Sequence, residues 1–163
     1  MSIELSASAK RVQAELESHG IDCQVKEMDR STRSAADAAK AVGCNVAQIA
    51  KSLVFKRLNS QRAVLVIASG VNRVDENRLG RIISEPIGMA DADFVREQTG
   101  FAIGGVPPLG HTHRLEVFID EDLMQYAHIW AAAGTPRAVF RLTPDQLLKV
   151  TGGTVIAVKQ ELK

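Results

Sequence analysis

Apolar positions along this chain first recur at helical spacing and then alternate. Ala9, Val12 and Leu16 mark one face of a helix from Ser6 to Ser18, with Gly20 where a C′ residue would sit. Ile21, Cys23 and Val25 alternate and predict a strand. An Ala-rich helix is expected from about Ser34 to Val42, capped by Ser31 or Thr32 and closed by Gly43. Asn45 caps one short turn through Ile49. Lys51 to Lys56 and Ala63 to Ala68 read as strands of a hairpin turning around Asn59-Ser60. Asp75 caps a helix to Ile83, and Asp91 or Asp93 caps another that stops near Gly100. A strand through Phe101 and Ile103 is expected to run into the glycine- and proline-rich segment that follows. Leu115 to Ile119 is a strand before the acidic stretch Asp120 to Asp122. Ala127 to Ala132 and Ala138 to Leu142 are strands around Gly134-Thr135-Pro136. Thr143-Pro144-Asp145-Gln146 is a capping box with proline at the first helical position, starting a helix to Val150. Thr154 to Val158 is a last strand.

Helices and strands interleave, yet several strands are joined by tight turns. That combination favours an α+β domain with a mixed sheet over a purely parallel one. No GxGxxG follows the first strand and no GxxxxGK[ST] appears, so nucleotide-binding folds lose support. At 163 residues the chain reads as a single domain, 1–163, large enough to bury a core.

Composition narrows the partners. A net charge of +1 gives no global positive field, which argues against a polybasic nucleic-acid binder and against DNA as the partner. No apolar run approaches the eighteen or so residues a membrane helix needs, and the N-terminus has no apolar signal segment. Cys23 and Cys44 are not a CxxC pair and read as reduced thiols of a cytoplasmic protein, packed as small hydrophobes.

Candidate chemistry concentrates in Thr99-Gly-Phe-Ala-Ile-Gly-Gly-Val-Pro-Pro-Leu-Gly-His111. Glycine permits close backbone approach and positive φ; proline stiffens the loop. Such a loop is either a plain turn or a cradle aiming its N–H groups at a carbonyl or oxyanion. It holds no Ser or Cys nucleophile. Lys51 shares a strand face with Leu53 and Phe55, so its ammonium is drawn toward a pocket wall or reaches solvent along its stem. Thr32 is either a helix cap or a pocket hydroxyl. His111 and His113 form an HxH pair, but a zinc site needs a third protein ligand and nothing supplies one; His111 is placed at the pocket mouth. There is no GxSxG, and the cysteines lack a nucleophile's context.

Three segments carry a resemblance: Ile49-Ala-Lys51-Ser-Leu-Val-Phe55, Thr99 to Gly110, and Trp130-Ala-Ala-Ala-Gly-Thr-Pro-Arg137. Together they resemble the YbaK/prolyl-tRNA-synthetase-associated domain family over nearly the whole chain. The resemblance implies an α+β fold with a mixed, mostly antiparallel, barrel-like sheet surrounded by helices. It implies a trans-editing hydrolase that deacylates mischarged aminoacyl-tRNA, chiefly on proline tRNA. The alternative is a non-catalytic module of the same fold that binds a tRNA end or a synthetase. By position, the catalytic set is Lys51, Gly104 and Gly105, and the substrate-binding set is Thr32, Pro108, Gly110 and His111. No metal or cofactor is expected. The partners are mischarged aminoacyl-tRNA and, where one is recruited, an aminoacyl-tRNA synthetase. This chain departs from the family at Pro107, where serine or threonine is common, and at Ser52, where some alanine-specific members have asparagine. It also lacks a histidine between Trp130 and Gly134. The amino acid removed therefore stays open among alanine, cysteine, serine, threonine and small analogues.

Overall fold

The computed structural model describes residues 4–161. Helix α1 (Ala7–Ser18) begins at Ser6, whose hydroxyl accepts the Ala9 amide, and is followed by the short strand β1 (Val25–Glu27). Helix α2 (Ala35–Val42) is capped by Ser34, whose hydroxyl accepts the Asp37 amide, and ends in left-handed Gly43. Ser31 and Thr32 are therefore not its caps: the extended backbone that an N-cap needs falls at Ser34. Asn45 and Gln48 form a reciprocal capping box around a 3₁₀ turn, Val46–Gln48.

The hairpin of β2 (Ile49–Arg57) and β3 (Ala63–Ser69) forms the middle of the sheet, paired from Ala50↔Ser69 to Lys56↔Ala63. Every residue of β3 is buried, as expected of a central strand with both faces covered. Helix α3 (Glu76–Ile83), capped by Asp75, precedes β4 (Ile87–Met89). Helix α4 (Ala92–Thr99) is capped by Asp91 rather than Asp93. Then come β5 (Glu116–Asp120), β6 (Ile129–Ala132), β7 (Ala138–Leu142), α5 (Pro144–Thr151) and β8 (Thr154–Ile156). The capping box at Thr143 and Gln146 is present, with Pro144 opening α5.

The sheet has eight strands in the order β1-β7-β6-β2-β3-β5-β8, with β4 added to the end of β2. Pairs β1–β7, β2–β3, β2–β4 and β6–β7 are antiparallel, while β2–β6, β3–β5 and β5–β8 are parallel. The mixed sheet and its antiparallel majority agree with the sequence reading, but the barrel does not form. β1 and β8 lie at opposite edges and do not pair. Closure needs a continuous, staggered ladder all round; here both end strands are three residues long and β6 meets β2 at only Ile49↔Trp130 and Ala50↔Ala131.

The strand expected over Ile21 to Val25 begins only at Val25, one expected strand does not form, and one strand was not expected. Phe101 to Ile103 is a bend, not a strand: the Thr99 hydroxyl accepts the Phe101 amide, and Gly105 N–H donates to the Ala102 carbonyl at 3.0 Å. These backbone groups are satisfied within the loop and have no ladder to join. Strand β4 escapes the sequence reading because three residues after Pro86, one of them glycine, show no alternation.

Alternation along β2 divides the cores. Ala50 and Val54 face the main core with α1, α5, Leu65, Ile67, Ile119, Phe140 and Leu142. Leu53 and Phe55 face a second cluster with Leu79 of α3. Ile49 joins Ala38 and Ala39 of α2 in a third. Phe140, wholly buried in the main core, anchors the end of the sheet that carries β1. Phe140→Ala is expected to cost about 3–5 kcal/mol by urea denaturation, whereas Arg141→Ala, on the exposed face of the same strand, should stay within about 0.5 kcal/mol.

Candidate active site

The feature of interest is a gap in the sheet. β2 is paired along its whole length with β3 on one side, but on the other it meets β6 only at Ile49 and Ala50 and β4 only from Phe55. Lys51, Ser52 and Leu53 therefore border an opening with no strand beside them. A cavity of about 260 Å³ occupies it, walled by α2, by β2, by Trp130 and Ala131 of β6, by Val139 and by Ile103, Gly104 and Val106 of the glycine-proline loop. That volume lies just below the range of drug-sized ligand sites, which run from about 300 Å³ upward. It suits a small group attached to something larger outside.

Lys51 lies on the β2 face between two small cores, that of α2 around Ile49 and that of α3 around Phe55. It is half-buried, and its Nζ reaches only the Gly70 carbonyl, at 3.5 Å. Burial pushes its pKa down from the ordinary lysine value; the nearby Asp120 carboxylate opposes this, and Arg73 adds to it. Asp120 is itself buried and held by the Ser69 amide at 3.0 Å, the Asn72 side chain at 2.8 Å and the Asp122 amide at 2.9 Å.

The loop glycines divide into two roles. Gly105 does not line the cavity. A Cβ on it would sit 2.8 Å from the backbone of Thr135, its carbonyl accepts the Gly134 amide at 2.9 Å, and its own amide is spent on Ala102. Gly104 does line the cavity, at φ +95°. Among the described residues its amide donates to no protein group. A Cβ on Gly104 would lie 2.8 Å from Cγ of Arg33, whose stem crosses the loop at the cavity wall. Arg33 and Lys51 bring two cations to the wall, and no Asp or Glu is part of it. Sequence reasoning missed Arg33; its only signal was its place between Thr32 and the helix cap.

Thr32 is buried in the same wall, with its amide donating to the Pro136 carbonyl at 2.7 Å. The structure thus brings Thr32, Lys51 and Gly104 together. Pro108 and His111 line a separate, shallower pocket with His113 and Arg114. The Gly110 carbonyl accepts from the Arg11 guanidinium at 2.9 Å. Nε2 of His111 lies 2.7 Å from the Pro107 carbonyl. A carbonyl only accepts, so Nε2 carries the proton in the neutral ring. Burial lowers the His111 pKa, the Pro107 contact raises it in part, and Arg11 lowers it further.

Residues 29–150 match the family model of the aminoacyl-tRNA editing domain. The chain belongs to the aminoacyl-tRNA editing domain family. It is 31% identical over 140 residues to "Uncharacterized protein YwhH" of Bacillus subtilis (strain 168), covering 86% of this chain and 88% of the relative. It is 26% identical over 121 residues to "Putative Cys-tRNA(Pro)/Cys-tRNA(Cys) deacylase EbsC" of Enterococcus faecalis (strain ATCC 700802 / V583), covering 74% and 73%. Among solved structures, "Crystal structure of a putative trans-editing enzyme for prolyl tRNA synthetase" superposes with a TM-score of 0.92 at 49% identity, over 97% of this chain and 100% of that one. Among the described residues no helix is long and apolar enough to cross a membrane.

Two outcomes follow from this geometry. Gly105→Ala forces the loop off the β6–β7 turn and is expected to lower stability by roughly 1–3 kcal/mol, read as a fall in Tm. His111 binds its proton less readily when folded than when unfolded, so the unfolded chain takes up more protons as pH drops below the ordinary value of 6.5. Its contribution to stability is therefore lost on acidification from that pH through the lower folded pKa. The difference in Tm between pH 7.5 and pH 5 should shrink in His111→Gln.

Proposed function

We propose that this chain is a trans-acting editing hydrolase that removes a wrongly attached small amino acid from proline tRNA. The observation that carries this reading is that Lys51 and Gly104, whose amide has no protein partner, line one small cavity. The names of the deacylase relative and of the trans-editing enzyme point the same way.

The chemistry asked of the protein is modest. Water attacks the carbonyl carbon of the aminoacyl ester; the bond to the ribose oxygen breaks, that oxygen leaves as a hydroxyl with a proton, and the free amino acid departs. An ester with an α-ammonium beside it is already activated. The Gly104 N–H donates to the carbonyl oxygen as negative charge develops there. Gly105 acts in this scheme through position alone, since its amide is occupied. The Lys51 ammonium binds phosphate or sugar oxygens of the terminal adenosine and sets the ester against the loop. Arg33, at the wall and free of carboxylate neighbours there, adds a second cationic contact to the same nucleotide. A ribose hydroxyl of the substrate activates the water, since no side chain of the wall is a carboxylate or imidazole. The wall itself excludes larger side chains.

The deciding experiment is deacylation of proline tRNA charged in turn with alanine, cysteine, serine, threonine and proline. At least one mismatched ester is expected to be lost at catalytic protein concentration while the prolyl ester survives. Binding of charged tRNA with no ester loss across the panel would replace the hydrolase with a binding module. Lys51→Ala is expected to lower kcat/KM on the order of a hundredfold without lowering Tm, because it removes a desolvated ammonium. The ratio of wild-type to Lys51→Ala kcat/KM, in which the titration of the substrate's own α-ammonium cancels, should decline at a pH below the 10.5 of ordinary lysine, because burial lowers the Lys51 pKa.

A further inference from the structure

Among the described residues, two buried side-chain polar atoms have no hydrogen-bond partner: Oγ1 of Thr32 and Oγ of Ser52. Both residues belong to the wall of the cavity in the sheet. Among the described residues, the other buried polar side chains, Ser69, Thr99 and Asp120, are satisfied. Ser69 donates to the Ala47 carbonyl at 2.7 Å, Thr99 to the Val95 carbonyl at 2.7 Å, and Asp120 accepts from its three donors. Ser34, also in the wall, already caps α2. Unpaired buried hydroxyls are rare in native proteins, and each calls for a reason. Here two fall on one cavity whose remaining wall is largely apolar, including Ala35, Ala38, Ile49, Val106 and Val139.

We propose that Thr32 and Ser52 are the side-chain recognition groups of the editing pocket, and that the amino acid removed carries a hydroxyl: serine, or threonine where size permits. This rests on the reading of the cavity as the aminoacyl site. A hydroxyl both donates and accepts, so two wall hydroxyls and one substrate hydroxyl satisfy one another. The α-ammonium of the substrate only donates, and a wall with two cations and no carboxylate repels it toward the mouth. A thiol is too weak a donor and acceptor to substitute. A methyl group leaves both oxygens as they stand. Neither oxygen is exposed to solvent as it stands, so the proposal requires each to turn about χ1 from one staggered well to another to meet the substrate; Ser52 has no branch to hinder this.

The test compares seryl and 2-aminobutyryl esters on the same proline tRNA, since the two side chains are near-isosteres differing in hydroxyl against methyl. A pocket that hydrogen-bonds the hydroxyl discriminates by about 10⁴ or more, whereas a merely apolar one manages about 10² or less. The expected wild-type preference for seryl exceeds a hundredfold in kcat/KM. In Thr32→Val/Ser52→Ala it should collapse to within about tenfold, chiefly through loss of seryl turnover. The same double variant should keep or raise Tm, because it removes unpaired buried oxygens. Equal wild-type turnover of seryl and 2-aminobutyryl esters would overturn this inference and leave the hydrolase standing. Loss of both esters in equal proportion in the variant would also overturn it, assigning the hydroxyls to the ester itself. No turnover of any ester would instead remove the hydrolase.

Discussion

The site depends on how closely the glycine-proline loop sits against the turn between β6 and β7. Gly105 lies where any side chain would collide with the Thr135 backbone, and its carbonyl holds the Gly134 amide. One residue further on, the Pro136 carbonyl accepts the Thr32 amide. Two segments far apart in the chain are thereby locked to a single turn. Proline, with no amide of its own, serves through its carbonyl and its fixed φ. The loop is then free to present Gly104 to the cavity while its neighbour is sealed into the framework.

The second constraint is the incomplete pairing of β2. A strand continuously paired on both sides offers no room for a ligand; here the partner on one side changes from β6 to β4, and the residues between border an opening. Lys51 falls there because its face of the strand is covered by α2 at one end and α3 at the other, and by neither in the middle. Its burial is thus a product of layer geometry, and the buried Asp120 offsets part of the cost of holding a cation there.

Charge and polarity follow the same division. The residues of the wall include the cations Arg33 and Lys51 and the hydroxyl-bearing Thr32 and Ser52, with apolar side chains among them. The HxH segment stands outside this arrangement. His111 is tied to the Pro107 carbonyl and lines a separate pocket.

Much of the fold was legible in sequence because it depends on neighbours. The Asp75, Asp91 and Thr143 caps, the β2–β3 hairpin and the shared face of Lys51, Leu53 and Phe55 rest on groups within a turn or a strand of one another, and the structure agrees with each. The motif segments around Lys51, Gly104 and Gly134 likewise marked which stretches meet. The sequence could not show that Phe101 bends instead of pairing, that the sheet stays open, or that Gly105 spends its amide on Ala102 while Gly104 does not. Nor could it show that Arg33 overlies the loop or that the Thr32 and Ser52 hydroxyls lack partners. Periodicity and capping are set by residues adjacent along the chain; which donors remain free is set by contacts between segments that only the folded molecule brings together.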